Sequence, residues 1–328
     1  MDREEHPRYW RDRQKTDRKR HMRDGIDIGL LEYPGAQEAA LLGLTDLFEM
    51  ANRPDRPNLR VTRWRVKGDQ LVPAGKSGTP SIVIIPPGKE GPVTEGVARS
   101  FAGGLRKLHA GGTTLASVCV GAFILGETGL LERRSATTHW GAADAFRIRY
   151  PSVNLDVDRL IIDDGDIITA GGMMAWTDLG LKLVDRYLGT AAMMATAGAL
   201  LVDPPGREQR YYSYFIPRLN HGDAAVLGVQ HRLHAEYATN AKLPDLASKS
   251  GLEERTFLRR FRKATGLTVT GYLQRFRVSK ARELLQFGGD SVEEIAWSVG
   301  YADSGAFRKV FLNIVGLSPS EYRRRFQR

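Results

Sequence analysis

Cysteine is almost absent from this chain. Cys119 is the one thiol among 328 residues, so an intrachain disulfide framework is excluded. Long apolar runs are absent too: none approaches the roughly 18 residues a membrane-crossing helix needs, and no bilayer contact is expected. The opening residues Met1-Asp2-Arg3-Glu4-Glu5 lack the apolar core of a secretion signal. Together these point to the cytoplasm. Acidic residues are outnumbered, 38 against 48 basic ones, which leaves a net charge of +10. Eight of those ten charges come from Gln230 to Arg328, with 18 basic and 10 acidic side chains. Such a concentration is the electrostatic footprint of a nucleic-acid binder. No cofactor and no metal site is expected.

What is present falls into two domains, as the length leads one to expect. Residues 1–24 mix both charge signs with few apolar residues and read as a disordered tail. From Gly25 to Leu201 short apolar runs alternate with helical stretches. Strands are expected at Ile26 to Glu32, Val61 to Val66, Ser81 to Ile85 and Thr114 to Val118, with a pair at Leu160 to Ile162 and Ile167 to Thr169. Helices are expected at Phe101 to His109, from Gly121, and at Trp176 to Leu188. This alternation predicts an α/β layer fold with a mostly parallel sheet over 25–202. Pro204-Pro205-Gly206 and the aromatic run Tyr211 to Phe215 break the periodicity, so 203–223 reads as a linker. An all-α domain is expected over 224–328.

That last domain contains an internal repeat. Leu246-Ala247-Ser248-Lys249-Ser250-Gly251 matches Ile295-Ala296-Trp297-Ser298-Val299-Gly300, an offset of 49. Phe261, Gly266-Leu267 and Tyr272 match Phe311, Gly316-Leu317 and Tyr322, an offset of 50. One residue is inserted in the second copy, near the start of its third helix. In each copy a small Ala permits two helices to cross closely, and the Gly supplies a left-handed turn. This is the logic of a helix-turn-helix. Phe257 and Phe261, and Phe307 and Phe311, give each following helix an apolar face, opposite Arg255, Arg259 and Arg262 in one copy and Arg308 and Lys309 in the other. A basic helix suits a DNA major groove, where Arg reads guanine edges bidentately.

On these motifs residues 224–325 resemble the AraC/XylS DNA-binding domain, and Ile295-Ala296-x-x-Val299-Gly300-Tyr301 with Gly316-Leu317-Ser318-Pro319-x-x-Tyr322-Arg323 carries the likeness most fully. The first copy departs in Val269, where the second has Pro319, and in Glu253-Glu254 at its helix start. The resemblance implies two recognition helices in successive major-groove segments, joined by a helix including Gly271 to Gln286. By position the base-facing residues would be Arg255, Leu258 and Arg259 in the first, and Ser304, Gly305, Arg308 and Lys309 in the second. Gly305 offers no side chain, so the first helix is expected to carry more of the specificity.

The N-terminal domain offers a candidate nucleophile. Ala116-Ser117-Val118-Cys119-Val120-Gly121-Ala122 reads as strand, sharp turn and helix. A cysteine at a helix start is expected to favour the thiolate. His139 follows twenty residues on and would serve as its base. Against this, a lone cysteine is most often a small buried apolar residue, and a lone histidine structural.

Tyr33-Pro34-Gly35, Ile84-Ile85-Pro86-Pro87-Gly88, Cys119-x-Gly121-Ala122, Ala136-Thr137-Thr138-His139-Trp140 and Thr169-Ala170-Gly171-Gly172 together resemble the flavodoxin-like DJ-1/PfpI, or class I glutamine amidotransferase-like, domain. They resemble in particular the version fused to AraC-type domains in GlxA-like regulators. Enzymatic members place an acidic side chain near the elbow cysteine; the matching position here is Ala40, with Glu38 two residues away. The resemblance therefore implies a DNA-binding regulator and no enzyme. Cys119, His139, Gly171 and Gly172 become candidates for lining an effector pocket, or Cys119 a redox-sensitive thiol. The implied partners are promoter DNA, an effector such as an amino acid or betaine, RNA polymerase, and a second copy in a homodimer. The competing readings are a cysteine-dependent amidohydrolase or glyoxalase-like enzyme with a DNA-binding appendage, and a nucleoid-type binder without sequence preference.

Overall fold

The computed structural model describes residues 25–54, 58–68, 70–75, 77–239 and 242–327; the expected tail at 1–24 lies outside them. The chain divides between Gln209 and Arg210 into two compact units. The division falls inside the segment read as a linker.

The first unit is built on a seven-stranded sheet. Its strands are β1 (Ile26–Leu31), β2 (Leu59–Lys67), β3 (Gln70–Pro73), β4 (Ile82–Ile85), β5 (Thr114–Val118), β8 (Ile161–Asp163) and β9 (Ile167–Ala170). Their order is β3-β2-β1-β4-β5-β9-β8. The inner five run parallel, and β3 and β8 close the edges antiparallel. Every residue of β4, β5 and β9 is buried. Successive side chains point to opposite faces, so both faces of the sheet are covered. Helices α1 (Glu38–Ala51), α5 (Trp176–Leu188) and α6 (Thr190–Leu200) pack on one another, as do α2 (Glu95–Ala110) and α3 (Ala122–Glu127). A short α4 (Ala143–Arg149) and a two-stranded sheet of β6 (Ser135–Ala136) and β7 (Asn154–Leu155) complete the unit.

The expected strands are all present, and the helix at Trp176–Leu188 has the expected bounds. Helices α1 and α6 and the edge strand β3 were not expected. The stripe Leu41, Leu44, Leu47 and Phe48 carries the signal for α1. Helix α6, Thr-Ala-Ala-Met-Met-Ala-Thr-Ala-Gly-Ala-Leu, is small and apolar on all sides, with no stripe to detect.

An ion cluster ties the α2 end of the sheet together. Asp166, 1% exposed, is held by the Arg134 guanidinium and by His109 Nε2 at 2.7 Å. Burial alone would raise its pKa, but those hydrogen bonds hold the carboxyl well below the usual range. A depressed carboxyl stabilises the fold above its unfolded value of about 3.9, and that stability is lost as pH falls below it. Asp166→Asn is expected to lower the unfolding free energy at pH 7 by about 3 kcal/mol, and to flatten the acid limb of a stability profile below pH 4. Equal acid sensitivity in mutant and parent would contradict the assignment.

The second unit is all helix: α7 (Ala224–Ala235), α8 (Leu243–Lys249), α9 (Glu254–Thr265), α10 (Val269–Phe287), α11 (Val292–Ser298), α12 (Ser304–Val315) and α13 (Pro319–Phe326). It has two cores. Helix α10 supplies Val269 and Tyr272 to the first and Val278, Ala281 and Leu285 to the second, so one helix of 19 residues carries both motifs. The repeat is visible in the packing. Phe257 and Phe261 sit 5.7 Å apart between ring centroids, and Phe307 and Phe311 5.6 Å. Tyr272 and Tyr322 are both fully buried against the second Phe of each pair. The hydroxyls find different partners: Gln230 and His234 for Tyr272, Arg282 and Gln286 for Tyr322. Val269 and Pro319 each open a helix, at the position where proline's missing N–H costs nothing. The departure from the family pattern is thus conformationally harmless.

The chain between the expected domains is packed rather than free. In the second unit, Arg282 donates to the carbonyl oxygens of Ser213 and of Tyr211 (2.7 Å) and stacks on Tyr214 at 4.5 Å. The aromatic run that reads as linker is therefore part of this unit's surface.

Candidate functional sites

Helix α9 presents Arg255, Leu258 and Arg259 outward, opposite the buried Phe257 and Phe261. Leu258 is 36% exposed. Its neighbour Arg260 turns inward to a bidentate ion pair with Asp223, the N-cap of α7, at 2.9 and 2.7 Å. With Phe257 and Phe261 buried and Arg260 paired to α7, Arg255 and Arg259 remain on the outward face of α9. Glu253 is the N-cap of α9 without a side-chain cap bond, and Glu254 lies in the first turn, where an acid complements the helix dipole.

Helix α12 differs. Three residues, Tyr301, Ala302 and Asp303, separate Gly300 from it, whereas Leu252 and Glu253 separate Gly251 from α9. The inserted residue therefore lies in the turn. It places Asp303 at the N-cap, where the carboxylate accepts from Gly305 N at 3.1 Å and Ala306 N at 2.7 Å. Gly305, Arg308 and Lys309 are exposed and Ser304 is half-buried. Arg308 is paired with Glu293 of α11. A base contact by Arg308 has to compete with that pair, a cost that Arg255 and Arg259 do not share among the described residues.

In the first unit the five motif segments converge at the carboxyl ends of β1, β4, β5 and β9, where open parallel sheets bind ligands. Tyr33 donates to Pro86 O at 2.8 Å. Gly121 admits close approach of the β4 end, since a Cβ there would stand 2.6 Å from Pro86 O. Thr138 Oγ1 donates to Cys119 O at 2.8 Å, and Thr137 N donates to Thr169 Oγ1 at 2.8 Å. Cys119 itself has φ +55°, a strained left-handed elbow of the expected kind.

The expected thiolate is not supported. Cys119 is 2% exposed, and burial pushes the thiol up to about 11, with the Val120 backbone N–H only partly offsetting it. The helix that follows, α3, has six residues, so its dipole is weak beside the desolvation. The thiol form therefore predominates near neutral pH. Native protein is expected to react with iodoacetamide about 100-fold more slowly than the denatured chain. A native rate equal to the denatured one would refute the buried-thiol reading.

His139 is engaged by its own neighbours rather than by Cys119. Its Nδ1 accepts from Gly141 N at 3.0 Å, and its ring stacks on Trp140. Burial lowers its pKa, which favours the neutral form. A neutral imidazole with Nδ1 so engaged carries its hydrogen on Nε2 and has no free lone pair to take a proton. Among the described residues no hydrogen bond joins His139 to the thiol. Ala40 is fully buried on α1, and Glu38 is exposed, 3.7 Å from Arg63. No carboxyl group from this helix start serves the elbow.

Gly171 follows β9 and faces the side chain of Gln209, a residue the sequence reading passed over. Gly172 is half-buried beside it. Gln209 carries no motif signal, because its role depends on where the chain returns. No helix among the described residues is long and apolar enough to cross a membrane.

Comparison with known proteins agrees with this construction. Residues 64–186 match the model of the DJ-1/PfpI family, and residues 246–325 match that of a helix-turn-helix domain. The chain is 30% identical over 224 residues to the HTH-type transcriptional regulator GlxA of Rhizobium meliloti, covering 67% of this chain and 68% of that protein. It is 26% identical over 320 residues to the HTH-type transcriptional regulator CdhR of Pseudomonas aeruginosa, covering 90% and 91%. Among the described residues of this chain an α/β unit is followed by two helix-turn-helix units, the order in which the two family models match. The chain belongs to the GlxA-like regulators of the AraC family, DNA-binding transcription regulators with a DJ-1/PfpI-type N-terminal domain.

Proposed function

We propose that the chain is a sequence-specific regulator in which the first unit binds a small effector and the second reads promoter DNA mainly through α9. The observation that carries this reading is the duplicated motif with Arg255 and Arg259 outward and Arg260 held by Asp223. Helix α10 spans about 28 Å at 1.5 Å per residue, of the order of the 34 Å turn that separates successive major-groove faces. The protein would act as a cytoplasmic homodimer, with an amino-acid or betaine-like effector altering its contact with DNA or RNA polymerase. The first unit is proposed as a binding domain rather than an enzyme, supported by the buried thiol, the engaged His139 and Ala40.

The test uses the full chain. Binding to its own promoter should exceed binding to scrambled DNA by about 1000-fold or more at matched salt, and equal affinity would favour a nucleoid-type role. A thermal-shift screen of amino acids and betaines should find a stabilising ligand. Turnover of an amide or dicarbonyl that disappears in Cys119→Ser would instead establish the enzyme.

A further inference from the structure

Gln209, the last residue of the first unit, is bound there the way a ligand is bound. It is 2% exposed. Its Nε2 donates to Thr138 O at 3.0 Å and Val157 O at 2.9 Å, and its Oε1 accepts from Trp140 N at 2.9 Å. Gly171 forms the floor, where any Cβ would overlap the amide. These three partners are main-chain groups, which cannot rotate to suit a different guest; a fourth, the Thr137 hydroxyl, donates to Arg159 O at 3.0 Å and so presents an acceptor to the amide at 3.5 Å. Their polarity is selective. A carboxylate would set an oxygen against two carbonyl oxygens, and an ammonium or guanidinium would set N–H against the Trp140 N–H. A neutral primary carboxamide satisfies all three groups, and burial makes each mismatch costly. The cradle also adjoins the elbow: Thr138, whose carbonyl it uses, donates its hydroxyl to Cys119 O.

The two residues before Gln209 hold the same strap by ion pairs. Arg207 binds Asp178 through two nitrogens, at 3.0 and 2.6 Å, and Glu208 lies 3.3 Å from Arg159. Of the three side chains only Gln209 is buried, so it closes the strap by shape and hydrogen bonding.

We propose that this cradle is a recognition site for a small primary carboxamide, filled in the free protein by Gln209, and that a free carboxamide displaces Gln209 and releases the strap leading to the DNA-binding unit. The proposal rests on the effector-domain reading above. A tethered side chain competes at an effective concentration of the order of millimolar, so the cradle is best probed once emptied.

The experiment uses full-length Gln209→Ala with propionamide as probe. Propionamide should raise the melting temperature of the variant by several degrees, while propionate and propylammonium at equal ionic strength should not. Equal stabilisation by all three, or none by the amide, overturns the cradle's selectivity. The strap is read by trypsin cleavage after Arg207 and Arg210. Cleavage should be about tenfold faster in Gln209→Ala, and faster in the parent protein once propionamide is raised far enough above the concentration that saturates the variant to outcompete the tethered Gln209. A parent strap that stays resistant there overturns displacement. If Gln209→Ala does not fold, Gly171→Ala keeps the glutamine and expels it from the cradle. Fast cleavage in that variant supports the proposal, and parent-like resistance overturns it. Failure of the broader effector reading looks different: no metabolite, amide or otherwise, would stabilise the parent protein.

Discussion

Alanine at both Arg255 and Arg259 is expected to lower affinity for the cognate promoter by at least about 30-fold, at roughly 1–3 kcal/mol per bidentate base contact. Binding to random DNA should fall far less, because that term comes from phosphate neutralisation spread over the basic face. The discriminating measurement is the ratio of specific to random affinity at fixed salt, for the parent, each single variant and Arg308→Ala. Arg308 is held by Glu293, so its loss removes a group already committed to an intramolecular pair, and an effect below about tenfold is expected. An Arg308→Ala effect exceeding that of the α9 double variant would reverse the assignment of specificity between the two motifs. Glu293→Ala adds a directional check. It frees Arg308 and should strengthen binding, because it removes both a competitor and a like charge facing phosphate.

The second large effect separates two glycines that the repeat makes equivalent. Gly251 and Gly300 both take left-handed conformations, φ +68° and +88°. A side chain at either costs about 1–2 kcal/mol in backbone strain. Around Gly251 there is open space, whereas a Cβ at Gly300 would stand 2.5 Å from the carbonyl oxygen of Ala238. That backbone cannot yield cheaply. Arg277 of α10 donates to Tyr237 O at 2.7 Å and Thr239 O at 2.8 Å and lies over the Tyr301 ring, so the backbone from Tyr237 to Thr239 is clamped beside the second motif. Gly251→Ala is therefore expected to cost about 1–2 kcal/mol, and Gly300→Ala about 4 kcal/mol or more. Denaturant unfolding of the two full-length variants measures both. Similar losses would mean that the Ala238 contact is soft and that only the turn conformation matters.

Much of this was legible in the linear chain. The Ala-x3-Gly spacing, the paired phenylalanines and the late tyrosine are local signals. They specify a helix-turn-helix because helix period and turn conformation depend on neighbours a few residues apart. The parallel sheet was legible for a similar reason, since β4 and β5 are continuous apolar runs that only a doubly covered sheet can bury. The Cys119 elbow was legible as well, and its φ of +55° matches the sharp turn expected between strand and helix.

The sequence by itself determined the order of the α/β and all-α units, their fold classes and the two helix-turn-helix motifs. Electrostatic state and aim were decided by tertiary structure. A helix start beside Cys119 argues for a thiolate when only neighbours in sequence are counted, but the desolvation that reverses it comes from the whole unit closing over the thiol. Arg260 looks like one more basic residue of a DNA-facing helix until Asp223, 37 residues earlier, takes it. Arg308 is likewise claimed by Glu293. Gln209 is the extreme case: a polar residue in a stretch without periodicity, given a role by three backbone groups from 52 to 71 residues away. Periodicity and turn chemistry act over one turn of chain, whereas burial and pairing depend on which distant segments the fold brings together.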